Sequence, residues 1–292
     1  MFINNIPKCK LLVYILVDNL YIDTDGCHRF NYKKGVKMST NSLHSSQNLK
    51  NALFTLPKGM PVTTRQMEQL GISRQLVHRY VQNGWLESLG YGYFLRAGDE
   101  LTRNGAVAAL ENQGLDLHIG GRSALALQGT LHYLALGQET LVLYGAIRKK
   151  MPDWFTSRFP FEIRMSRLFG QEGALMKRLH VRRLDEADPY SPFVAEPERA
   201  LLEMLDDVPQ KQSLDDAKKV MEPLFTLRPE PLQELLEACT RIKVKRLFFA
   251  LADELHLPVV QQLNVSRLDF GSASVYVRTQ KGNSLILQNP GK

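Results

Sequence analysis

The chain has 292 residues, 44% of them hydrophobic, with 37 Lys and Arg against 30 Asp and Glu for a formal net charge of +7. That length accommodates two domains, and that apolar share excludes a low-complexity or wholly disordered chain. Cys9, Cys27 and Cys239 are too few and too scattered for a disulfide framework or a zinc site, and no histidine pair has ligand spacing, so no metal or other cofactor is expected.

The first 37 residues differ in character from the rest. Their apolar run, Leu11 to Val17, is ended by Asp18 and is far shorter than the roughly 20 residues a bilayer requires. Lys8 and Lys10 precede it as in a signal peptide, but no small-residue cleavage site follows. The expected setting is therefore the cytoplasm, with no membrane partner. Lys34-Gly35-Val36-Lys37-Met38 is what a purine-rich ribosome-binding site would encode if translated in frame before a start codon. Met38 is accordingly the expected native start, and residues 1–45 are read as an extension or a disordered leader.

From Leu49, Leu53 and Phe54 onward the pattern is that of a winged helix-turn-helix over residues 46–97. Thr63 or Thr64 can cap a first helix, with Met67 and Leu70 as its inward positions. Gly71 supplies the turn, Ile72 fills the corner, and Ser73 caps a second helix that stops at Asn83-Gly84. Leu76, Val77, Tyr80 and Val81 make one apolar face of that helix. The other face carries Arg74, Gln75, His78, Arg79 and Gln82, with no acid between Glu68 and Glu87. Arg and Gln suit base edges as well as phosphates, so this face has the chemistry of a major-groove reader. Trp85-Leu86 and Tyr91 to Leu95 form the strands of a wing around Gly90. The candidate DNA-binding residues are Thr64, Arg65, Ser73, Arg74, Gln75, His78, Arg79, Gln82, Tyr91 and Tyr93. A protein-docking use of the same helix pair is the other reading.

Arg96-Ala97-Gly98 reads as a linker, and residues 98–292 as a mixed α/β domain large enough to fold alone, giving an α+β chain overall. Helices are expected near 103–113, 122–128, 197–206, 214–225, 230–240 and 243–256, strands near 115–119, 141–144, 161–165 and 180–184, and a closing hairpin at 274–288. Pro197 and the flanking Glu196 and Glu198 open the 197–206 helix well. Ten basic residues against three acidic ones lie between 148 and 183, and ten acidic against two basic between 185 and 216. Either the two blocks neutralise each other, or Arg148, Lys149, Lys150, Lys177, Arg178, Arg182 and Arg183 form a patch that widens a DNA footprint.

Catalytic signatures are absent, and no catalytic residue is assigned: no phosphate loop, nucleophile elbow or kinase motif occurs. Asp153 followed by Glu162-Ile163-Arg164 imitates a metal-nuclease core, but a permanently charged arginine is a poor stand-in for lysine. Ser123 beside Arg122 reads as a helix cap.

Several segments together resemble the AbiEi family of antitoxins from type IV, abortive-infection toxin–antitoxin systems. They are Gly84-Trp85-Leu86, Gly92-Tyr93-Phe94, Ile119 to Leu125, Glu196-Pro197-Glu198-Arg199-Ala200-Leu201-Leu202 and Val244-Lys245-Arg246-Leu247-Phe248. This resemblance, over about residues 47–290, implies a phage-defence regulator whose N-terminal domain binds inverted repeats in its own promoter. It also implies a C-terminal domain that counteracts a neighbouring nucleotidyltransferase toxin without a stable complex. Ser272-Ala273-Ser274 lacks the basic residues expected of the family's tail. Arg122, Arg199, Lys245 and Arg246 are the candidate antitoxin residues, expected at the domain's rim because charged residues at the start of apolar helices usually lie there. The alternative is a solitary winged-helix regulator, or an interaction module, without a toxin partner.

Overall fold

The first described helix begins with reciprocal capping. In the computed structural model, which describes residues 58–129, 140–145, 150–165, 167–170, 178–278 and 284–291, the Gln66 N–H donates to Thr63 Oγ1 at 3.3 Å. The Thr63 N–H donates back to Gln66 Oε1 at 2.8 Å, so two otherwise orphaned donors are satisfied. Thr63 rather than Thr64 is thus the cap of α1 (Thr64–Gln69). Gly71, in the left-handed region at φ 78°, turns the chain, and Ile72 is fully buried in the corner. The Ser73 hydroxyl accepts the Leu76 N–H and starts α2 (Arg74–Gln82), which buries Val77 and Tyr80. Leu70 departs from expectation: it is exposed, and Met67 alone of the proposed pair points inward.

Three strands close this unit. β1 (Val62–Thr63), β2 (Leu86–Gly90) and β3 (Tyr93–Arg96) form an antiparallel sheet in the order β1-β3-β2. Val62, Met67, Ile72, Val77, Tyr80 and Leu86 make a small core of their own, with Phe94 packed against it. Strand alternation then sends Tyr93 to the opposite face. There its ring meets Trp154 at 5.1 Å, and Met60, Leu89 and Tyr93 all join the main core. The Gln113 side chain donates to Thr63 Oγ1, and the Thr102 N–H to the Gly59 carbonyl, so a packed seam extends beyond residue 97.

The remaining elements surround a five-stranded mixed sheet. In chain order they are α3 (Arg103–Asn112), β4 (Leu117–Ile119), α4 (Gly121–Leu127), β5 (Leu141–Gly145), α5 (Asp153–Thr156), β6 (Phe161–Arg164), β7 (Val181–Arg183) and β8 (Phe193–Ala195). Next come α6 (Pro197–Asp206), α7 (Leu214–Met221), α8 (Pro229–Ala238), α9 (Ile242–Glu254) and a hairpin of β9 (Val275–Arg278) and β10 (Ser284–Leu287). Sheet order is β6-β5-β4-β8-β7; β5/β6 and β4/β8 are parallel, while β4/β5 and β7/β8 are antiparallel. α6 packs on α4, α8 and α9 and buries eight residues, Glu198 through Leu205.

Three of those eight are charged, and each is satisfied. Glu203 accepts from His118 Nε2 at 2.9 Å, Arg199 Nε at 2.8 Å and the Gly121 N–H at 3.1 Å, while the Tyr144 hydroxyl donates to the Glu203 carbonyl. Burial pushes the Glu203 carboxyl up, but the His118 and Arg199 contacts outweigh it and hold it below the ordinary value of 4.5. Gly120 leaves room for this network: a Cβ there would lie 2.2 Å from Glu203 Oε2 and 2.5 Å from the Tyr144 ring. Ser123 is not a cap. Gly120 takes that position, and the Ser123 hydroxyl accepts the Val142 N–H at 3.0 Å, pinning β5 to α4.

Two outcomes test this packing by urea denaturation. Gly120→Ala costs about 1–3 kcal/mol by overpacking, and Glu203→Ala about 3–5 kcal/mol because Arg199 loses its buried partner. A folded-state carboxyl held below its unfolded value contributes stability that is complete above 4.5 and lost as pH falls through the folded value. The wild-type chain therefore weakens on acidification in that range, and a Glu203→Ala variant weakens less.

Candidate nucleic-acid interface

One surface of the molecule gathers polar and basic side chains around a helix that itself carries no acid. Along α2, Ser73, Arg74, Gln75, His78, Arg79 and Gln82 are all exposed, as is Arg65 on α1. The helical period explains it: Val77 and Tyr80 face the small core, so these positions turn outward together. Gln82 Nε2 lies 3.2 Å from His78 Nε2, one turn apart on the same face. Arg74 Nε donates to Glu68 Oε1 at 2.8 Å across the turn between the helices. That contact is not legible from sequence, because a six-residue separation across a turn follows no helical period.

The wing tip is built on strained backbone. Tyr91 sits at φ 51° between Gly90 and Gly92, both also at positive φ, and its ring is 83% exposed. A bulky residue in the left-handed region is uncommon and needs surrounding structure to hold it. Here the Thr64 N–H donates to the Gly92 carbonyl at 3.1 Å, tying the tip to the start of α1. Thr64 is therefore half-buried and engaged, and Tyr93, whose ring packs at a tilt against Trp154, is turned away from the surface that Tyr91 shares. At the far end of α2, Trp85 stacks on Tyr80 with ring centroids 5.8 Å apart.

The second basic block behaves differently. Arg148, Lys149 and Lys177 lie outside the described residues. Lys150 pairs with Asp153 at 3.2 Å, Arg178 with Asp116 at 3.8 Å, and Arg182 with Glu196 at 3.5 Å. The Arg178 and Arg183 guanidinium groups lie 4.1 Å and 4.6 Å from the Phe193 ring centroid, and Arg183 also donates to the Ser191 carbonyl. Arg164 donates to both oxygens of Asp207 at 3.1 Å and pairs with Glu162, so the nuclease-like triplet is tied up in ion pairs. Among the described residues, no three His, Cys, Asp or Glu side chains are grouped to hold a metal, and no helix is long and apolar enough to cross a membrane.

Rim placement fails for three of the four candidate antitoxin residues. Arg199 is buried, with Glu203, the Leu179 carbonyl and the Phe169 ring around it. Arg246 is buried and donates to the carbonyls of Phe270, Gly271 and Leu287, which fastens the C-terminal segment to α9. Lys245 is buried as well, and Arg122 is half-buried. The Arg199 charge is internal because Leu179 and Phe169 close over it, and that of Arg246 because the C-terminal segment covers its face of α9. Glu198, expected only to open its helix, is buried and accepts three bonds from Arg228, through its N–H, Nε and NH2.

Residues 45–136 match the family described as the N-terminal domain of the transcriptional regulator AbiEi antitoxin. Residues 138–287 match its companion, described as the transcriptional regulator AbiEi antitoxin of a type IV toxin–antitoxin system. The chain belongs to the AbiEi antitoxin family. As an AbiEi protein it is a transcriptional regulator and antitoxin of the type IV class. In fold it is similar to the crystal structure of the RV2827C protein from Mycobacterium tuberculosis, with a TM-score of 0.48 and 16% identity, covering 81% of this chain and 89% of that one. No curated protein matches it in sequence.

Beside the arginine–phenylalanine stack of this AbiEi protein, Glu111 accepts the Phe193 N–H through both carboxylate oxygens, at 2.9 Å and 3.2 Å. Burial raises its carboxyl from 4.5 to about 8, against the opposing pull of the Phe193 N–H, Arg183 and Arg178. An acid whose folded value is raised loses stability as pH climbs from its unfolded value to its folded one. Between pH 4.5 and about 8, then, the wild-type melting temperature falls relative to that of Glu111→Gln, which keeps the acceptor and cannot ionise. Parallel pH profiles for the two proteins would contradict this.

Proposed function

We propose that this AbiEi antitoxin binds double-stranded DNA through α2 and the wing tip and represses its own promoter at an inverted repeat. In the same reading its C-terminal part counteracts a nucleotidyltransferase toxin without forming a stable complex with it. The observation that carries the DNA reading is the exposed, acid-free face of α2, set against a C-terminal domain whose described arginines mostly have carboxylate, carbonyl or aromatic partners. Apart from Glu68, which holds Arg74, such a face meets a polyanion without an opposing acid, and its cations exchange counterions for phosphates.

Roles follow from side-chain chemistry. In this reading Arg65, Ser73, Arg79 and Tyr91 contact phosphate and sugar, whereas Arg74, Gln75, His78 and Gln82 contact base edges in the major groove. Occupying an inverted repeat requires two copies with half-sites about one helical turn, ~10 bp, apart or a multiple of it. The toxin arm rests on family membership, and finding a nucleotidyltransferase reading frame beside this gene would support it.

One full-length variant separates the two arms. Arg74→Ala combined with Gln75→Ala is expected to weaken binding to the chain's own promoter fragment by tenfold or more, from the loss of about 1–3 kcal/mol of base reading. Wild-type affinity falls by about 0.9 log units per phosphate contacted for each log unit of salt. Supplied from an independent promoter, the same variant still restores growth to cells expressing the neighbouring toxin. Unchanged promoter binding at fixed salt would remove α2 as the reader, and a flat salt dependence would favour protein docking. Lost protection would tie antitoxicity to DNA binding.

A further inference from the structure

We infer that Glu68 is a positioning residue for base reading: its carboxylate orients Arg74 so that the terminal edge of the guanidinium is presented to a guanine. The inference rests on the DNA-binding reading and deepens it. Glu68 is the one acid between Val62 and Leu86, in a stretch otherwise limited to neutral and basic side chains. It lies at the end of α1 nearest the turn, and its Oε1 accepts Arg74 Nε at 2.8 Å, reaching the first residue of α2.

Stability does not account for this pair. Its side chains are 78% and 41% exposed, a setting in which an ion pair contributes about 0–1 kcal/mol. Nor does α1 depend on it, since the capping box at Thr63 and the burial of Met67 already fix that helix. For DNA affinity alone the carboxylate is a cost, because it places negative charge beside phosphates. What it does supply is direction. A guanidinium is planar with five donors in a fixed fork, so fixing the Nε–H sets the plane of the group.

Among the described residues, the terminal nitrogens of Arg74 have no acceptor. A pair of parallel N–H donors matches the O6 and N7 acceptors of guanine in the major groove, and a fork oriented beforehand loses less side-chain freedom on binding. Glu68 thus lowers general affinity and raises discrimination, a repulsive element that sharpens specificity.

The test uses the full chain, a random-sequence duplex pool for selection and sequencing, and poly(dA-dT), which offers no O6/N7 acceptor pair, as the non-specific duplex. Wild-type protein is expected to enrich a guanine that Arg74→Lys, which keeps the charge and lacks the fork, does not. Glu68→Ala reduces that guanine enrichment by about threefold to tenfold, a part of the discrimination one bidentate contact supplies. It simultaneously raises affinity for poly(dA-dT) by roughly twofold through loss of one negative charge. Glu68→Gln, which keeps an acceptor oxygen, falls between the two in guanine enrichment. Guanine enrichment unchanged in Glu68→Ala, no guanine dependent on Arg74, or both affinities moving together would overturn the inference while leaving DNA binding in place. No salt-sensitive binding of either duplex by the wild type would instead overturn the reading beneath it.

Discussion

The C-terminal domain is organised around one carboxylate that has to be paid for in hydrogen bonds. Glu203 is 1% exposed, and a charge removed from water to that degree is tolerated only with several good partners. Its partners come from different parts of the chain: His118 from β4, Arg199 from its own helix, and the Gly121 N–H from the start of α4. Tyr144 of β5 closes the group through the Glu203 carbonyl. Because each donor is carried by a separate element, satisfying Glu203 fixes how α6 sits against the sheet and α4. The same helix gathers further charge at its ends, with Arg228 on Glu198 and Lys243 on the Asp206 and Val208 carbonyls.

That arrangement bears on function by elimination of charge. Positive charge is concentrated between residues 148 and 183 and acid between 185 and 216, yet the described cations of the C-terminal domain are largely committed to fold contacts. Arg164 is held by Asp207, Arg199 by Glu203, Arg246 by three carbonyls, and Arg178 and Arg183 by Phe193. The α2 face is the contrasting surface, where Arg79 and Arg65 are exposed and no acid follows Glu68 until Glu87. Local charge distribution, rather than the total of +7, therefore decides where a polyanion would dock. The seam at Tyr93 and Trp154 adds that the wing is braced by the C-terminal domain rather than hinged freely from it.

How much of this was legible depended on whether the signal was local. Thr and Ser caps, Gly71 and the apolar period of α2 are local, and they placed both helices closely. Pro197 with its flanking glutamates placed α6 at 197–206, where the structure has it. The strand at Phe193–Ala195 was not foreseen, since three residues after a proline carry no alternation to read. Placement of side chains was less legible again. Arg199 and Arg246 begin or flank apolar helices and look like rim residues, but α9 is covered by the β9–β10 hairpin as well as by the core. Tyr93 looked like a groove contact because β1 was not foreseen; once Val62 pairs with Phe94, the pleat turns Tyr93 inward. Glu68 was visible only as the end of an acid-free stretch.

The central claim is that α2 and the wing tip, and not the paired cations of the C-terminal domain, touch DNA. Photochemical cross-linking of the full-length protein to its bound promoter duplex, with the attachment sites assigned by mass spectrometry, reads that contact surface directly. The account predicts adducts at Arg65, within residues 73–82 and at Tyr91. Adducts confined to residues 178–183 or 241–246, with none on α2, would contradict it.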